Sequence, residues 1–175
     1  MAPRVVLIGP PGAGKSSVGR ALALRLGVRG RDTDEDVERL AGRSVADIFV
    51  TDGEPEFRSM ERAAVLAALD EHDGVLSVGG GAVLDPTTER AVTGYRDGGG
   101  VVVFLDVSLS AAAPRVGLNT ARPLLAGNPR AQWRALMDAR RPVYERLATM
   151  TVLTDDLSPE QVAEMIAEAV ARDDD

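Results

Sequence analysis

Near the N-terminus, Val5-Val6-Leu7-Ile8 runs without a break into Gly9-Pro10-Pro11-Gly12-Ala13-Gly14-Lys15-Ser16. No other stretch constrains the fold as much. The first four residues are apolar and mostly β-branched, and predict a buried strand of a parallel sheet. The next eight match the phosphate-binding pattern G-x-x-x-x-G-K-[ST]. Its glycines let backbone N–H groups converge on phosphate oxygens, its lysine reaches the β- and γ-phosphates, and its hydroxyl ligates Mg²⁺. A helix is predicted over Lys15 to Leu26, with its N-terminus at the phosphates. Val18, Ala21, Leu22 and Leu26 share one apolar face, and Gly27 caps the end. Gly12, Ala13, Gly14, Lys15, Ser16 and Ser17 are therefore candidate ATP contacts, with Lys15 also a candidate catalytic group; the alternative is a plain glycine-rich turn. Of 20 lysines and arginines, Lys15 is the only lysine. A bias toward arginine codons explains the arginines but not where the lysine sits.

Composition removes whole classes of function. A chain of 175 residues is expected to form a single domain with a core that needs no staples. Cysteine is absent, which excludes disulfides, thiol nucleophiles and zinc–thiolate sites. The single histidine, His72, excludes a histidine-pair metal site. It lies in the polar turn Glu71-His72-Asp73-Gly74 and is expected to be exposed. A net charge of −7 argues against nucleic acid or a membrane surface as partner. No apolar run approaches the roughly 20 residues that span a bilayer, and Met1-Ala2-Pro3-Arg4 has no secretory layout. The expectation is a cytoplasmic monomer, with residues 173–175 as a disordered acidic tail.

Further strand-like runs stand at Val75–Val78, Val101–Leu105 and Thr151–Leu153, separated by helical patterns. The alternation indicates βαβ units and a parallel sheet. A weaker candidate, Val28 to Arg31, is unusually polar. Ser158, Pro159 and Gln161 form a capping box that opens the last helix.

Several clusters could choose a phosphate acceptor. Asp32-Thr33-Asp34 follows the polar strand candidate, at the sheet edge where ligands bind. One carboxylate there can hold hydrated Mg²⁺ and the other can orient or deprotonate an acceptor hydroxyl; equally, they can cap a helix starting near Glu35. Gly79-Gly80-Gly81 lets a ligand lie against bare backbone. Arg58 and Glu61 share one helical face, as part of a site or as a surface ion pair. Residues 114–127, with Arg115 and Arg122, suit a lid that excludes water. Arg140-Arg141-Pro142-Val143-Tyr144 closes a helix that starts near Pro129, and its arginines suit bidentate carboxylate recognition. Val101–Leu105 followed by Asp106 resembles a Walker B strand, although Asp106 also suits a turn.

Taken in order, these segments resemble the shikimate kinase family, in its bacterial, actinobacterial-like form. The resemblance runs through Gly9–Ser16, the D-T-D of Asp32–Asp34, Gly42–Phe49 and Gly53–Glu61. It continues through Gly79–Gly81, R-P-L-L at Arg122–Leu125 and R-x-P-x-Y at Arg140–Tyr144. It implies a three-layer α/β P-loop kinase of the nucleoside monophosphate kinase type, with a five-stranded parallel sheet flanked by helices. The nucleotide-binding core would comprise 4–34, 75–110 and 145–171, the acceptor region about 35–62, and the lid about 114–127. The implied reaction moves the γ-phosphoryl group of ATP to the 3-hydroxyl of shikimate, in aromatic amino acid biosynthesis. Asp34 would be the base and a shikimate contact. Arg58 and Arg140 would hold the carboxylate, Glu61 would orient Arg58 or a hydroxyl, and Gly79, Gly80 and Gly81 would line the site. Arg122 would contact the transferring phosphate. Ser16 would ligate Mg²⁺ directly and Asp32 through water. Arg115 would stack on adenine, with Pro159 at its border. The family usually has larger apolar residues where this chain reads Val28–Arg31. Of the adjacent Arg140 and Arg141, R-x-P-x-Y selects Arg140 for the carboxylate, and Trp133, Met137, Arg140 and Tyr144 share one helical face. Two other readings are a sister kinase acting on gluconate or a nucleoside monophosphate, and an ATP-binding regulatory module without turnover.

Overall fold

In the computed structural model, which describes residues 1–117 and 128–173, five parallel strands form one sheet. They are β1 (Val5–Ile8), β2 (Gly30–Asp32), β3 (Val75–Ser77), β4 (Val101–Asp106) and β5 (Met150–Leu153), in the spatial order β2-β3-β1-β4-β5. β1 lies in the middle, with Val5 in register with both Val75 and Val101. All four of its side chains are buried, as a continuous apolar run requires when both faces of the sheet are covered. The chain reverses its direction of build-up on either side of β1. In such a sheet this is where a crevice opens beyond the carboxyl ends of the strands.

Helix α1 (Lys15–Leu26) follows β1 and packs against the last helix, α8 (Pro159–Asp173). Gly9 shows why the loop between β1 and α1 is built from glycine. Its φ is +151°, and a Cβ there would lie 2.5 Å from the Leu105 carbonyl oxygen. Ser158 and Gln161 open α8 as a capping box: the Ser158 N–H donates to the Gln161 side chain at 2.8 Å and the Gln161 N–H to the Ser158 hydroxyl at 3.1 Å. α8 extends through Asp173, the first residue of the expected tail; residues 174–175 lie outside the described residues.

Two expectations need correction. The strand foreseen at Val28–Arg31 begins and ends later, at Gly30–Asp32. The Val28 N–H is taken by the carbonyl of Ala23 in closing α1, so pairing starts only where Gly30 comes into register with Val75. β2 is also an edge strand, which explains why so polar a segment suffices. The second correction concerns His72, which is buried and not exposed. Its turn folds back on the strand it precedes, and Nε2 meets the Val75 carbonyl at 3.1 Å.

Between β2 and β3 the chain forms α2 (Thr33–Ala41), α3 (Val45–Asp52) and α4 (Glu54–Glu71). These helices enclose a small cluster of their own, made of Val37, Ile48, Phe57 and Ala64. After β3 come a 3₁₀ turn (Ala82–Leu84) and α5 (Pro86–Asp97); β4 is followed by α6 (Leu109–Arg115) and α7 (Pro129–Leu147). The expected lid segment falls largely on 118–127, outside the described residues, and Arg122 with it.

Candidate active site

The carboxyl ends of β1, β2 and β3 and the C-terminal end of α6 surround a cleft of about 490 Å³. Its floor is Pro11 to Ser17, its walls include Asp32, Asp34, Arg115 and Thr154, and Pro159 closes one end. α1 directs its N-terminal N–H groups into this space, with Gly14 in the left-handed conformation at its N-cap and no side chain capping it. Unsatisfied N–H groups at a helix start form an anion site. The Lys15 ammonium folds over the loop and donates to the carbonyls of Gly9 at 2.7 Å and Pro10 at 3.1 Å. Burial lowers its pKa to about 8, against the opposing pull of Asp34 and Asp32.

Asp32 answers both readings of the D-T-D segment. One carboxylate oxygen accepts the Asp34 N–H at 2.9 Å and caps α2; the other accepts the Ser16 hydroxyl at 2.6 Å. A hydroxyl and a carboxylate so placed form a hard-oxygen pair beside the phosphate loop, the donor chemistry that suits Mg²⁺ shared with phosphates and water. Among the described residues, no three histidines or carboxylates converge to hold a metal unaided.

Asp34 stands where the nucleotide cleft meets a second group of residues. Burial, then the charges of Asp32 and Glu61, raise its pKa to about 6, with Lys15 pulling the other way. Behind it, the Gly79 N–H donates to Thr33 Oγ1 at 3.0 Å and holds the glycine run against the start of α2. A Cβ on Gly79 would lie 2.7 Å from Glu61 Oε2 and 2.8 Å from Asp34 Oδ1. A Cβ on Gly81 would lie 2.6 Å from Arg58 Nη1 and 2.9 Å from Arg140 Nη2. The glycines are thus ringed by two carboxylates and two guanidinium groups from α2, α4 and α7. Arg58 donates to Glu61 at 2.7 Å across one turn of α4. Burial opposes the Arg58 charge, but the hydrogen bonds and charges of Glu61 and Glu54 together outweigh it and the pKa is raised. Glu61 is itself raised, because its burial outweighs its partner.

The adjacent arginines divide between two places. Arg140 is turned toward Gly80 and Gly81, whereas Arg141 grips Asp106 with two hydrogen bonds of 2.9 Å. Arg115 donates to the carbonyls of Gly12 at 3.0 Å and Thr154 at 3.1 Å, along the cleft wall facing Pro159.

Some contacts had no sequence signal. Trp133 donates its indole N–H to the Pro11 carbonyl at 3.1 Å, and the Tyr144 hydroxyl donates to the Gly80 carbonyl at 2.5 Å. Both residues fall on the apolar face of α7. Their apolar spacing predicts burial but not the direction of an N–H or O–H, although buried Trp and Tyr regularly need such a partner.

A family model described as shikimate kinase matches residues 11–171. A shikimate kinase of Saccharopolyspora erythraea is 56% identical over 174 residues, covering 99% of this chain and 97% of the relative. One from Thermobifida fusca is 55% identical over 165 residues, 94% of this chain and 93% of the relative. Among solved structures, shikimate kinase from Acinetobacter baumannii in complex with shikimate superposes with a TM-score of 0.88 at 31% identity, covering 98% of this chain and 94% of that one.

Proposed function

Because this chain belongs to the shikimate kinase family, and so phosphorylates shikimate with ATP, we propose how its residues divide the work. The enzyme contributes a step of aromatic amino acid biosynthesis. The single observation that carries the assignment is the place of Asp34. Its carboxylate lies between the phosphate cleft, with Lys15 and Ser16, and the glycine run faced by Arg58 and Arg140.

Arg58 and Arg140 hold the acceptor carboxylate, which fixes the ring against Gly79–Gly81 and brings the 3-hydroxyl to Asp34. An acceptor without a carboxylate leaves two guanidinium groups without their ligand, which is the basis of selectivity. Glu61 keeps Arg58 in place. Asp34 takes the hydroxyl proton as the new oxygen–phosphorus bond forms and the bond from the γ-phosphorus to the bridging oxygen of ADP breaks. With a pKa of about 6 it is roughly nine-tenths ionised at pH 7, yet basic enough to accept the proton. Lys15 exchanges its Gly9 and Pro10 carbonyls for phosphate oxygens and neutralises charge there. Ser16, and Asp32 through water, hold Mg²⁺, which when bound offsets the charge on the phosphates. Arg115 and Pro159 border the adenine. Arg122, outside the described residues, is the proposed contact to the transferring phosphate, and Arg122→Ala should lower kcat far more than it changes either KM. The acceptor region is about 35–62, the lid about 114–127, and the enzyme works as a monomer.

The test is ADP release from Mg-ATP with shikimate, run beside gluconate, AMP and no acceptor. Release that depends on shikimate alone is expected. Equal release with gluconate or AMP would overturn Arg58 and Arg140 as the selective clamp. ATP binding without release would favour a regulatory module.

A further inference from the structure

Asp106 ends β4 at the sheet's carboxyl edge, the position of a Walker B aspartate, yet Arg141 occupies both its oxygens. This pair has no part in the site as described so far. We propose that it is a positioning device for Arg140, which sets affinity for the acceptor carboxylate without touching the acceptor. The inference rests on the reading of Arg140 as part of the carboxylate clamp.

The need for such a device is local. Pro142 lies inside α7, two residues beyond Arg140. It has no N–H to donate to the preceding turn, and its ring crowds the carbonyl four residues back. The helix is therefore weakest beside the arginine that must be held most accurately. Three tertiary contacts surround the weak point. Asp106 binds the Arg141 fork at 2.9 Å on both sides, and is itself steadied by the Val107 N–H at 2.8 Å. The Tyr144 hydroxyl donates to the Gly80 carbonyl at 2.5 Å, against the glycine run that Arg140 faces. Phe104 lies behind both: its ring stacks on Tyr144 at 5.0 Å, and the Arg141 guanidinium sits 5.8 Å from its centre.

The base of this assembly is rigid, because β4 is paired on both sides, with β1 and β5. Successive residues on a helix leave it about 100° apart. A fork locked to the sheet at Arg141 therefore sets the direction in which Arg140 departs. Glu145 also approaches Arg141, at 3.7 Å, but its side chain is more exposed and lies beyond hydrogen-bonding distance. A lysine at this position would supply the charge without the planar, two-point geometry. The pair also keeps Asp106 neutralised, so that Arg140 does not turn away from the acceptor toward a free carboxylate.

Steady-state kinetics with both substrates varied tests this on Arg140→Ala, Arg141→Ala, Arg141→Lys, Asp106→Asn and the double variant Arg140→Ala/Arg141→Ala. Arg140→Ala should raise the shikimate KM most. Arg141→Ala and Asp106→Asn should each raise it about 3- to 10-fold, with the ATP KM within about twofold of wild type. Arg141→Lys should fall between, and the double variant should match Arg140→Ala alone. An additive double variant, an equal rise in both KM values, or no rise at all in Arg141→Ala and Asp106→Asn would overturn the proposal. If Arg140→Ala itself leaves the shikimate KM unchanged, the clamp reading fails, and this inference fails with it. Asp106→Asn and Arg141→Lys preserve shape, and keep the test decisive if Arg141→Ala does not fold.

Discussion

The two halves of the site are made in different ways. On the nucleotide side, one uninterrupted segment supplies the strand, the glycines, the ammonium, the hydroxyl and the helix start, and most of its recognition is backbone. On the acceptor side, the groups come from α2, α4, the glycine run after β3 and α7, and nearly all recognition is by side chains. A backbone cradle tolerates small losses, because many N–H groups share one anion. A ring of single side chains does not, because each one faces its own part of the ligand. Substitutions on the two sides should therefore fail differently.

Lys15→Ala should give the largest effect, a fall of about 10³-fold in kcat with intact folding, since one preorganised charge at a phosphoryl group is worth roughly 4 kcal/mol. Single-turnover assays would show it, and a variant within tenfold of wild type would break the nucleotide half of the comparison. Arg58→Ala should raise the shikimate KM about 30- to 100-fold, the cost of roughly 2–3 kcal/mol for a lost charge-assisted contact. The ATP KM should stay near wild type, and a parallel rise in both would deny that the halves are separable. Gly79→Ala should cost about tenfold in kcat/KM for shikimate, because the added methyl meets Glu61 and Asp34 at under 3 Å. Equal kinetics would show that those carboxylates can yield freely.

The pH profile sharpens the comparison, since each half contributes one titrating group. Asp34 must be ionised and its pKa is raised to about 6, so kcat/KM should fall as pH drops through 6. Lys15 must be protonated and its pKa is lowered to about 8, so kcat/KM should fall again as pH rises through 8. A flat profile between pH 5 and 9 would contradict both. The smallest effect is on stability. A carboxyl whose folded pKa is raised contributes stability below its unfolded value, near 3.8, and loses it as pH rises through about 6. Asp34→Asn should therefore stabilise the fold at pH 7 while removing turnover. The full shift corresponds to at most about 3 kcal/mol, and partial solvent access cuts this to roughly 1–2 kcal/mol, or a few degrees in Tm. Melts at pH 4 and pH 8 check the sign, because the gain should vanish at the lower pH.

How far the molecule could be read in advance differs from place to place. The capping box at Ser158 and Gln161 and the helix end at Gly27 were legible because both partners lie within a few residues of one another. β2 was misplaced because closure of α1 and the register with β3 decide its start, and neither shows in Val28–Arg31 itself. His72 looked solvated for the same reason: polar neighbours in sequence say nothing of the strand that its turn folds against. The R-x-P-x-Y spacing selects Arg140 over Arg141 for the site, but nothing in that spacing shows that Arg141 is bound to Asp106 at the end of β4.

The sequence by itself determined the phosphate loop, the alternation of strands and helices, and the set of charged residues available to an acceptor. Those follow from short-range chemistry, where spacing along the chain is spacing in space. Only the tertiary structure decided that Asp32 serves two neighbours at once, that Trp133 and Tyr144 tie α7 to both loops, and that one arginine is free for the site while the next is bound to the sheet. Each of these depends on groups brought together from distant parts of the chain. Such meetings are set by the burial of apolar faces and the order of strands, not by any residue's immediate neighbours.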